Sequence, residues 1–418
     1  MIRVETKAVR SIGKNYLHCS PPCHQEKPDT PRFLITLDVG IGDAIAIGLS
    51  AVDQILAHAP LAAGTIDVLC NELQAQIFEC DPRINRIITT SKVFFPGTHI
   101  TQWLRGITLD AEAADVIHFL RQRRYEAIFP SIVAPGLYFR LHSHIMYPRL
   151  SDMVSNYFAF RRQANIHVST IARQMVNHHL RNQGSKTPPA VPQTQDILLY
   201  IASEHVQKAR QMIAALQAEA SIAQGNSKVL MIAPDTASAA TRLPIDLLVA
   251  ALASVLAARP DLIIYILPAY TDTTRSLYLQ KTLVKHYPFR VFLMPAEPKA
   301  HLLELAALID QADIFVSGDT GVMHLAVTHK QLREGDDISF APRNSVKIIA
   351  LFGGTNPGYF GYSKRTTIVG RGRKEQTALR PGFSKESYHL RGRNLFDHIS
   401  SQQIADAILS PPDRQRGY

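Results

Sequence analysis

Apolar residues arrive along this chain in short runs, each followed by a turn and then by a stretch in which apolar positions recur at helical spacing. The first cycle is the run FLITL (33–37), the glycine-bearing turn VGIGD (39–43), the helix-period stretch AIAIGLSAVDQILAHA (44–59) and the run TIDVLC (65–70). A brief apolar run suits a strand and a 3.6-residue period suits a helix, so this cycle predicts a βαβ opening. RIITT (86–90) and YEAIF (125–129) extend the series and predict a parallel sheet with right-handed crossovers.

The alternation then breaks. GLYFRLHSHIMYPRL (136–150) is aromatic, basic and histidine-rich without a clean period, and reads as a loop or short helix at the edge of a site, or in part as core packing. The helical STIARQMVNHHL (169–180) leads into RNQGSKTPPAVPQTQ (181–195), a polar stretch whose prolines mark a linker. Beyond it the cycle restarts with DILLYIA, SEHVQKARQMIAALQAEA, SKVLMIAP and a helix opened by Pro244, then LIIYILP, FRVFLMP, ADIFVSG and SVKIIALFG. Such runs belong to doubly wound sheets covered on both faces. The pattern predicts an α/β protein of two doubly wound domains facing a central cleft, residues 32–190 and 191–418. Residues 1–31, with Pro21, Pro22, Pro28 and Pro31 and no sustained period, read as an extension.

Composition is compatible with that division. A chain of 418 residues with 46% hydrophobic content has material for two cores, and 19% charged residues mark a globular rather than a disordered protein. No stretch approaches the ~20 apolar residues of a membrane span. The opening MIRVETKAVRSIGKNY lacks the apolar core of a signal peptide, so a cytosolic location is expected. Four cysteines are too few for a disulfide framework. Cys19 and Cys23 stand close enough to share a metal but lack two further ligands, Cys70 and Cys80 read as buried thiols, and no structural metal is expected. The net charge of +10 favours nucleic acid, an anionic membrane or a phosphorylated substrate without choosing among them. Lys364, Arg365, Arg371, Arg373, Lys374, Arg380, Lys385, Arg391 and Arg393 concentrate the charge in the tail, as a binding patch or as solvated surface.

Four places carry candidate chemistry. In the first turn Gly40 and Gly42 allow backbone to approach a ligand, and Asp43 sets a carboxylate at the helix start, either for catalysis or simply as an N-cap. The turn does not continue to the third glycine of a nicotinamide fingerprint. In IFVSGDTGVMHLA (314–326) a strand runs into a helix whose first N–H groups form a seat for a diphosphate. Asp319 would repel phosphate there and reads as capping the helix and orienting the loop; His324 alone reads as a packed core histidine. Asp319 and His324 do not share the helix face that an i, i+4 metal pair uses. In APDTASAATRLP (233–244) a small-residue loop carries Thr236 and one cation, Arg242, before a proline suited to the first helical turn. Arg242 could neutralise a leaving phosphate or lie idle on the surface. FGGTNP (352–357) places Gly353 and Thr355 after another strand, leaving room for a ligand or making a turn.

Together these elements resemble glycosyltransferase family 9, the bacterial heptosyltransferases of the lipopolysaccharide inner core. The order is a G-D turn after the first strand, a basic residue before a proline-started helix, D-T-G-x-x-H, then F-G-x-T-x-P, most specifically D-T-G-V-M-H-L-A. The resemblance covers 33–58 and 228–357 well and 60–227 weakly. It implies a GT-B fold of two Rossmann-like domains and inverting, metal-independent transfer of a heptose from an ADP-activated donor to a saccharide or glycolipid acceptor. No cofactor is implied beyond that donor substrate, and no nucleic acid.

Asp43 then takes the role of general base and Arg242 that of the cation stabilising the departing diphosphate, with Gly40 and Gly42 on the acceptor side. Thr236, Asp319, Thr320, Gly321, Val322, His324, Gly353 and Thr355 become sugar-donor contacts. Any membrane contact is expected to be peripheral, at the cytoplasmic face of the inner membrane, through the basic tail. Leu243 in place of the family's tryptophan, the extra acid Asp38 and the lengthened connection QLREGDDISFAPRNS (331–345) depart from the pattern. Other readings are transfer of a different nucleotide-activated sugar and a catalytically silent nucleotide-sugar-binding protein.

Overall fold

The computed structural model describes residues 18–19, 30–37, 40–58, 64–89, 118–120, 122–130, 166–182, 190–191, 196–220, 227–236, 242–269, 273–295, 300–353, 355, 357–362, 364–370 and 396–411. The histidine-rich stretch 136–150 and the basic tail from Arg371 to Arg393 lie outside these residues, as do Cys23, Asp38 and most of the extension. The chain separates into two compact units, Met1–Gln193 with Ile197–Tyr200, and Thr194–Asp196 with Ile201–Tyr418.

The first unit is built on strands β1 (His18–Cys19), β2 (Arg32–Thr36), β3 (Thr65–Cys70), β4 (Arg86–Thr89) and β5 (Ala127–Pro130), in the order β1-β4-β3-β2-β5. The last four run parallel and β1 pairs antiparallel with β4. Helix α1 (Ile41–Asp43), a π-helical turn (Ala44–Leu49) and α2 (Ser50–Leu56) follow β2; α3 (Glu72–Ala75) follows β3; α4 (Val168–Asn182) packs on α2. Gln54 on α2 donates to Asn177 on α4 at 2.8 Å within that contact. Behind it, Asp53 receives Arg83 at 2.5 Å and faces Arg173 at 3.5 Å. Burial lifts the Asp53 carboxyl above its ordinary range despite these two cations. Arg83 also sits 5.1 Å over the Tyr200 ring and donates to Leu198 O, tying residues 198–200 of β6 (Leu198–Ile201) to this unit. Cys70 and Cys80 are buried free thiols, and burial pushes that of Cys70 up to about 12.

The second unit contains β7 (Lys228–Ala233), β8 (Leu262–Ile266), β9 (Val291–Leu293), β10 (Ile314–Gly318), β12 (Lys347–Phe352) and β13 (Thr366–Gly370) in one parallel sheet. Its spatial order is β13-β12-β10-β7-β8-β9. Read from the other edge, the strands run third, second, first, fourth, fifth, sixth along the chain, the Rossmann order. Helices α5 (Ser203–Glu219), α6 (Ile245–Ala258), α7 (Thr274–Val284), α8 (Leu302–Gln311), α9 (Gly321–Val327), α10 (Pro357–Phe360) and α11 (Ser401–Leu409) accompany it. On one face Leu230, Ile232, Ile264, Val316 and Ile349 pack against Leu252 and Val255 of α6 and Ile404 of α11. The alternate residues Val229, Met231 and Phe315 are also buried, as a sheet covered on both faces requires. Leu243, which replaces the family's tryptophan, belongs to the first of these faces.

Residues 331–345 are more than a lengthened connection. Gln331 and Leu332 complete β11 (His329–Leu332), a 3₁₀ turn spans Ile338–Phe340, and α5 anchors the rest. Asp336 accepts from Ser203 N at 2.8 Å, serving a helix start whose own N-cap, Ala202, has no side-chain acceptor. Arg210 donates to Ser339 O and Ala341 O at 2.9 and 3.1 Å and lies 5.5 Å over the Phe340 ring. Among the described residues no helix is long and apolar enough to cross a membrane.

Candidate functional site

In the first unit β2 delivers the chain to the turn before α1. Gly40 occupies the N-cap with φ −68° and ψ 175°, and its carbonyl accepts from Asp43 N at 3.2 Å and Ala44 N at 3.3 Å. Asp43 is therefore in the first helical turn rather than at the N-cap, which corrects the capping reading: the chain becomes helical before it reaches Asp43. Its side chain makes no capping bond. A helix N-terminus favours a negative charge, so the position suits an ionised carboxylate. Gln74 donates to Gly40 O at 3.3 Å, and Gln74 is itself fixed by a capping box with Asn71 at the start of α3. Sequence reasoning missed Gln74, although N-E-L-Q has the spacing of a capping box. Gly40 is exposed, with no atom within 4 Å of where a Cβ would stand, and Gly42 is half-buried.

The π-helical turn begins at Ala44, immediately after Asp43, and is buried throughout. Such widened turns recur at functional sites. A Cβ on Gly48 would meet Phe78 at 3.1 Å and Leu37 at 3.2 Å, so the turn packs directly on β2's exit and on the segment after α3.

In the second unit β7 and β10 are neighbours from which the strand order runs off in opposite directions. Ligands of open α/β sheets bind outside the carboxyl ends of such a pair. β7 ends at Ala233 and leads to Asp235 and Thr236; β10 ends at Gly318 and leads to Asp319 and Thr320. Thr320, not Asp319, caps α9: its Oγ1 accepts from Met323 N at 3.2 Å and lies 3.1 Å from Ser317 Oγ. The reading of Asp319 as the cap is corrected because the helix starts at Gly321, one residue further on. Asp319 Oδ1 instead faces His324 Nε2 at 3.6 Å. The first N–H groups of α9, at Gly321 and Val322, have no acceptor within the helix, and both residues are half-buried. His324 is buried, as a packed histidine would be, yet is held by polar partners, with Tyr362 Oη 2.7 Å from its Nδ1.

The loop after β7 is braced by α7. Arg275 Nε donates to Asp235 Oδ1 at 2.7 Å, and Ser276 Oγ donates to Asp235 Oδ2 at 3.1 Å. Arg275 also donates to Leu243 O, so one guanidinium spans both ends of the segment that carries Thr236 and Arg242. Pro244 is the N-cap of α6 rather than its first helical residue. Arg242 is not idle surface, because its Nε is buried and has no hydrogen-bond partner among the described residues. Thr355 Oγ1, after β12, is in the same condition. Buried donors of this kind call for an acceptor. Gly353 serves packing, because a Cβ there would run into the Phe396 ring. Asp235, Arg275, Ser276 and Tyr362 escaped the sequence reading, because no spacing rule in one sequence links positions so far apart.

Residues 191–334 match the model of glycosyltransferase family 9 (heptosyltransferase). Over that segment the chain resembles the family 9 glycosyltransferases. Thr236, Arg242 and Asp319 to His324 fall inside the matched segment, Asp43, Gly353 and Thr355 outside it. Two solved structures share the fold of this chain. A glycosyl transferase family 9 protein from Veillonella parvula DSM 2008 is 14% identical with a TM-score of 0.58, over 91% of this chain and 97% of that one. The E. coli ADP-heptose lps heptosyltransferase II is 14% identical with a TM-score of 0.56, again over 91% and 97%. At this identity the likeness establishes the α/β architecture of two Rossmann-like domains. No curated protein matches the chain.

Proposed function

We propose that this family 9-like glycosyltransferase moves a heptose from an ADP-activated donor to a saccharide acceptor of the lipopolysaccharide inner-core type. The observation that carries the proposal is the coincidence of the matched family segment with the β7/β10 switch point, where Thr236, Arg242 and the Asp319–His324 turn leave adjacent strands. The N–H groups of Gly321 and Val322 suit the diphosphate, and a helix N-terminus adds positive potential there. Arg242 suits the charge that grows on the departing ADP, and Thr355 adds a hydroxyl. A similar fold in a protein named for ADP-heptose and lipopolysaccharide supports this choice of donor and acceptor.

Residues 32–190 supply the acceptor side in this reading and residues 191–418 the sugar-donor side. Asp43 removes the acceptor's hydroxyl proton while the hydroxyl oxygen attacks the anomeric carbon. The C–O bond to ADP breaks in the same displacement, with inversion. No metal enters these steps, because a cation and backbone N–H groups take its place. Contact with an anionic membrane at its cytoplasmic face is peripheral and runs through the basic tail.

The deciding experiment incubates the purified protein with ADP-, UDP-, GDP- and dTDP-activated sugars and truncated lipopolysaccharide. Release of ADP from ADP-heptose, with mass gain on the acceptor, is expected. Turnover confined to another nucleotide-sugar would replace the donor assignment. Binding of a sugar donor without turnover would leave only a binding protein.

A further inference from the structure

We infer that Tyr362 is a positioning residue that fixes the tautomer of His324 and, through it, the orientation of Asp319. The inference rests on the reading of the second unit as the sugar-donor half. Tyr362 is completely buried in the segment between α10 and β13, and its Oη lies 2.7 Å from His324 Nδ1. The two rings meet edge to face, with centroids 5.5 Å apart and planes at 78°. The other ring nitrogen, Nε2, faces the Asp319 carboxylate at 3.6 Å.

The direction of these contacts follows from what each atom can offer. A carboxylate oxygen only accepts, so a bare Nε2 facing it would set two lone pairs against each other. With one ring proton, the imidazole carries it on Nε2, which leaves Nδ1 as the acceptor and makes Tyr362 the hydroxyl donor. Without that hydroxyl, Nδ1 would be a buried acceptor with no partner, and the proton could move to Nδ1 and turn away from Asp319. Buried polar atoms left unmatched are costly, so a single phenolic hydroxyl can hold the arrangement.

The consequence is directional. Asp319 sits immediately before Thr320, which caps α9, so a change in its orientation disturbs the turn assigned to the sugar donor rather than the acceptor side. Tyr362 therefore affects sugar-donor affinity more than the rate of the chemical step. Sequence reasoning could not reach this pairing, because 38 residues separate the two rings and only the return of β12 brings them together.

The test is a ¹⁵N-histidine spectrum of the full-length protein, alongside ADP-sugar titrations of the wild type, Tyr362→Phe, His324→Asn and the double variant. The wild-type spectrum should show His324 as the Nε2–H tautomer, and Tyr362→Phe should shift it toward Nδ1–H. Tyr362→Phe should weaken sugar-donor binding roughly threefold to tenfold, by about 1 kcal/mol on the usual scale for one hydrogen bond, with kcat little changed. If Tyr362 acts through His324, the double variant should bind no more weakly than His324→Asn alone. An Nδ1–H tautomer in the wild type overturns the inference. So does a Tyr362→Phe protein that melts normally, keeps its tautomer and binds the sugar donor as the wild type does. A wild type that binds no ADP-sugar would sink the proposed function, while the spectrum would still decide the role of Tyr362.

Discussion

Arg275 and Asp235 are joined at 2.7 Å between the start of α7 and the end of β7, with the aspartate side chain almost wholly buried. The pair fixes where the chain leaves the sheet before it carries Thr236 and Arg242. Asp235→Asn removes the charge but keeps the shape, leaving Arg275 and Ser276 with a poorer acceptor. The variant should lose roughly 1–3 kcal/mol in urea unfolding, the usual cost of an unmatched buried polar group. Its KM for the sugar donor should rise more than its kcat falls. Unfolding at the wild-type midpoint would show that the pair is not a brace.

The alternation of apolar runs and helical stretches makes β2 to β5, β7 to β10 and β12 legible, because each is a short apolar run bounded by a turn. Legibility failed where the determining contact lies far along the chain. β13 escaped notice because its residues are only half-buried and lead into the arginine-rich tail. An acid before a helix usually caps it, yet a shift of one residue gives that task to Thr320 rather than Asp319. The same logic offers a cap as one of the two readings of Asp43, and a glycine without a side chain holds that position instead. The motif D-T-G-V-M-H was readable as a pattern; the reason for its histidine emerges only when Tyr362 returns to it.

Lys330 supplies a pH-dependent prediction. Its Nζ is buried and donates to Ala326 O at 2.7 Å and Thr328 O at 3.0 Å, both at the C-terminal end of α9. Burial pushes the amine down to about 7, against the pull of Asp310 and with the help of Arg365. Below that value both folded and unfolded chains hold the proton, and the cost of burying the charge is complete. Between about 7 and 10.5 the unfolded chain keeps a proton that the folded chain has lost, so this contribution to stability rises with pH. Lys330→Met should be more stable than the wild type at pH 6, with the advantage shrinking toward pH 10. A difference that stays constant across that range would place the amine's titration elsewhere.

Turnover is expected to survive chelation. The diphosphate is assigned to Arg242 and the backbone of α9, which can supply the charge stabilisation a divalent ion would give. The check is turnover after exhaustive EDTA treatment and metal analysis of the same sample. Activity that vanishes and returns only with magnesium, manganese or iron would require a metal in the mechanism.

The sharpest prediction concerns Asp43→Asn. The capping account of this residue expects little effect, since asparagine caps as well as aspartate does. In the structure Gly40 holds the N-cap and Gln74 secures its carbonyl, so the turn does not depend on a cap from Asp43. In the proposed reaction the carboxylate takes the acceptor proton, and loss of a positioned general base costs ~10²–10⁴-fold in rate. The proposal assigns the sugar-donor contacts to the second unit, so the dissociation constant for the nucleotide-sugar should stay within about twofold of the wild type, on the scale of independent sites. Both quantities must come from one preparation whose melting curve matches the wild type. Near-normal turnover would remove Asp43 from the chemistry. Weak donor binding would instead mean that this turn and the α9 turn do not divide the work between acceptor and donor.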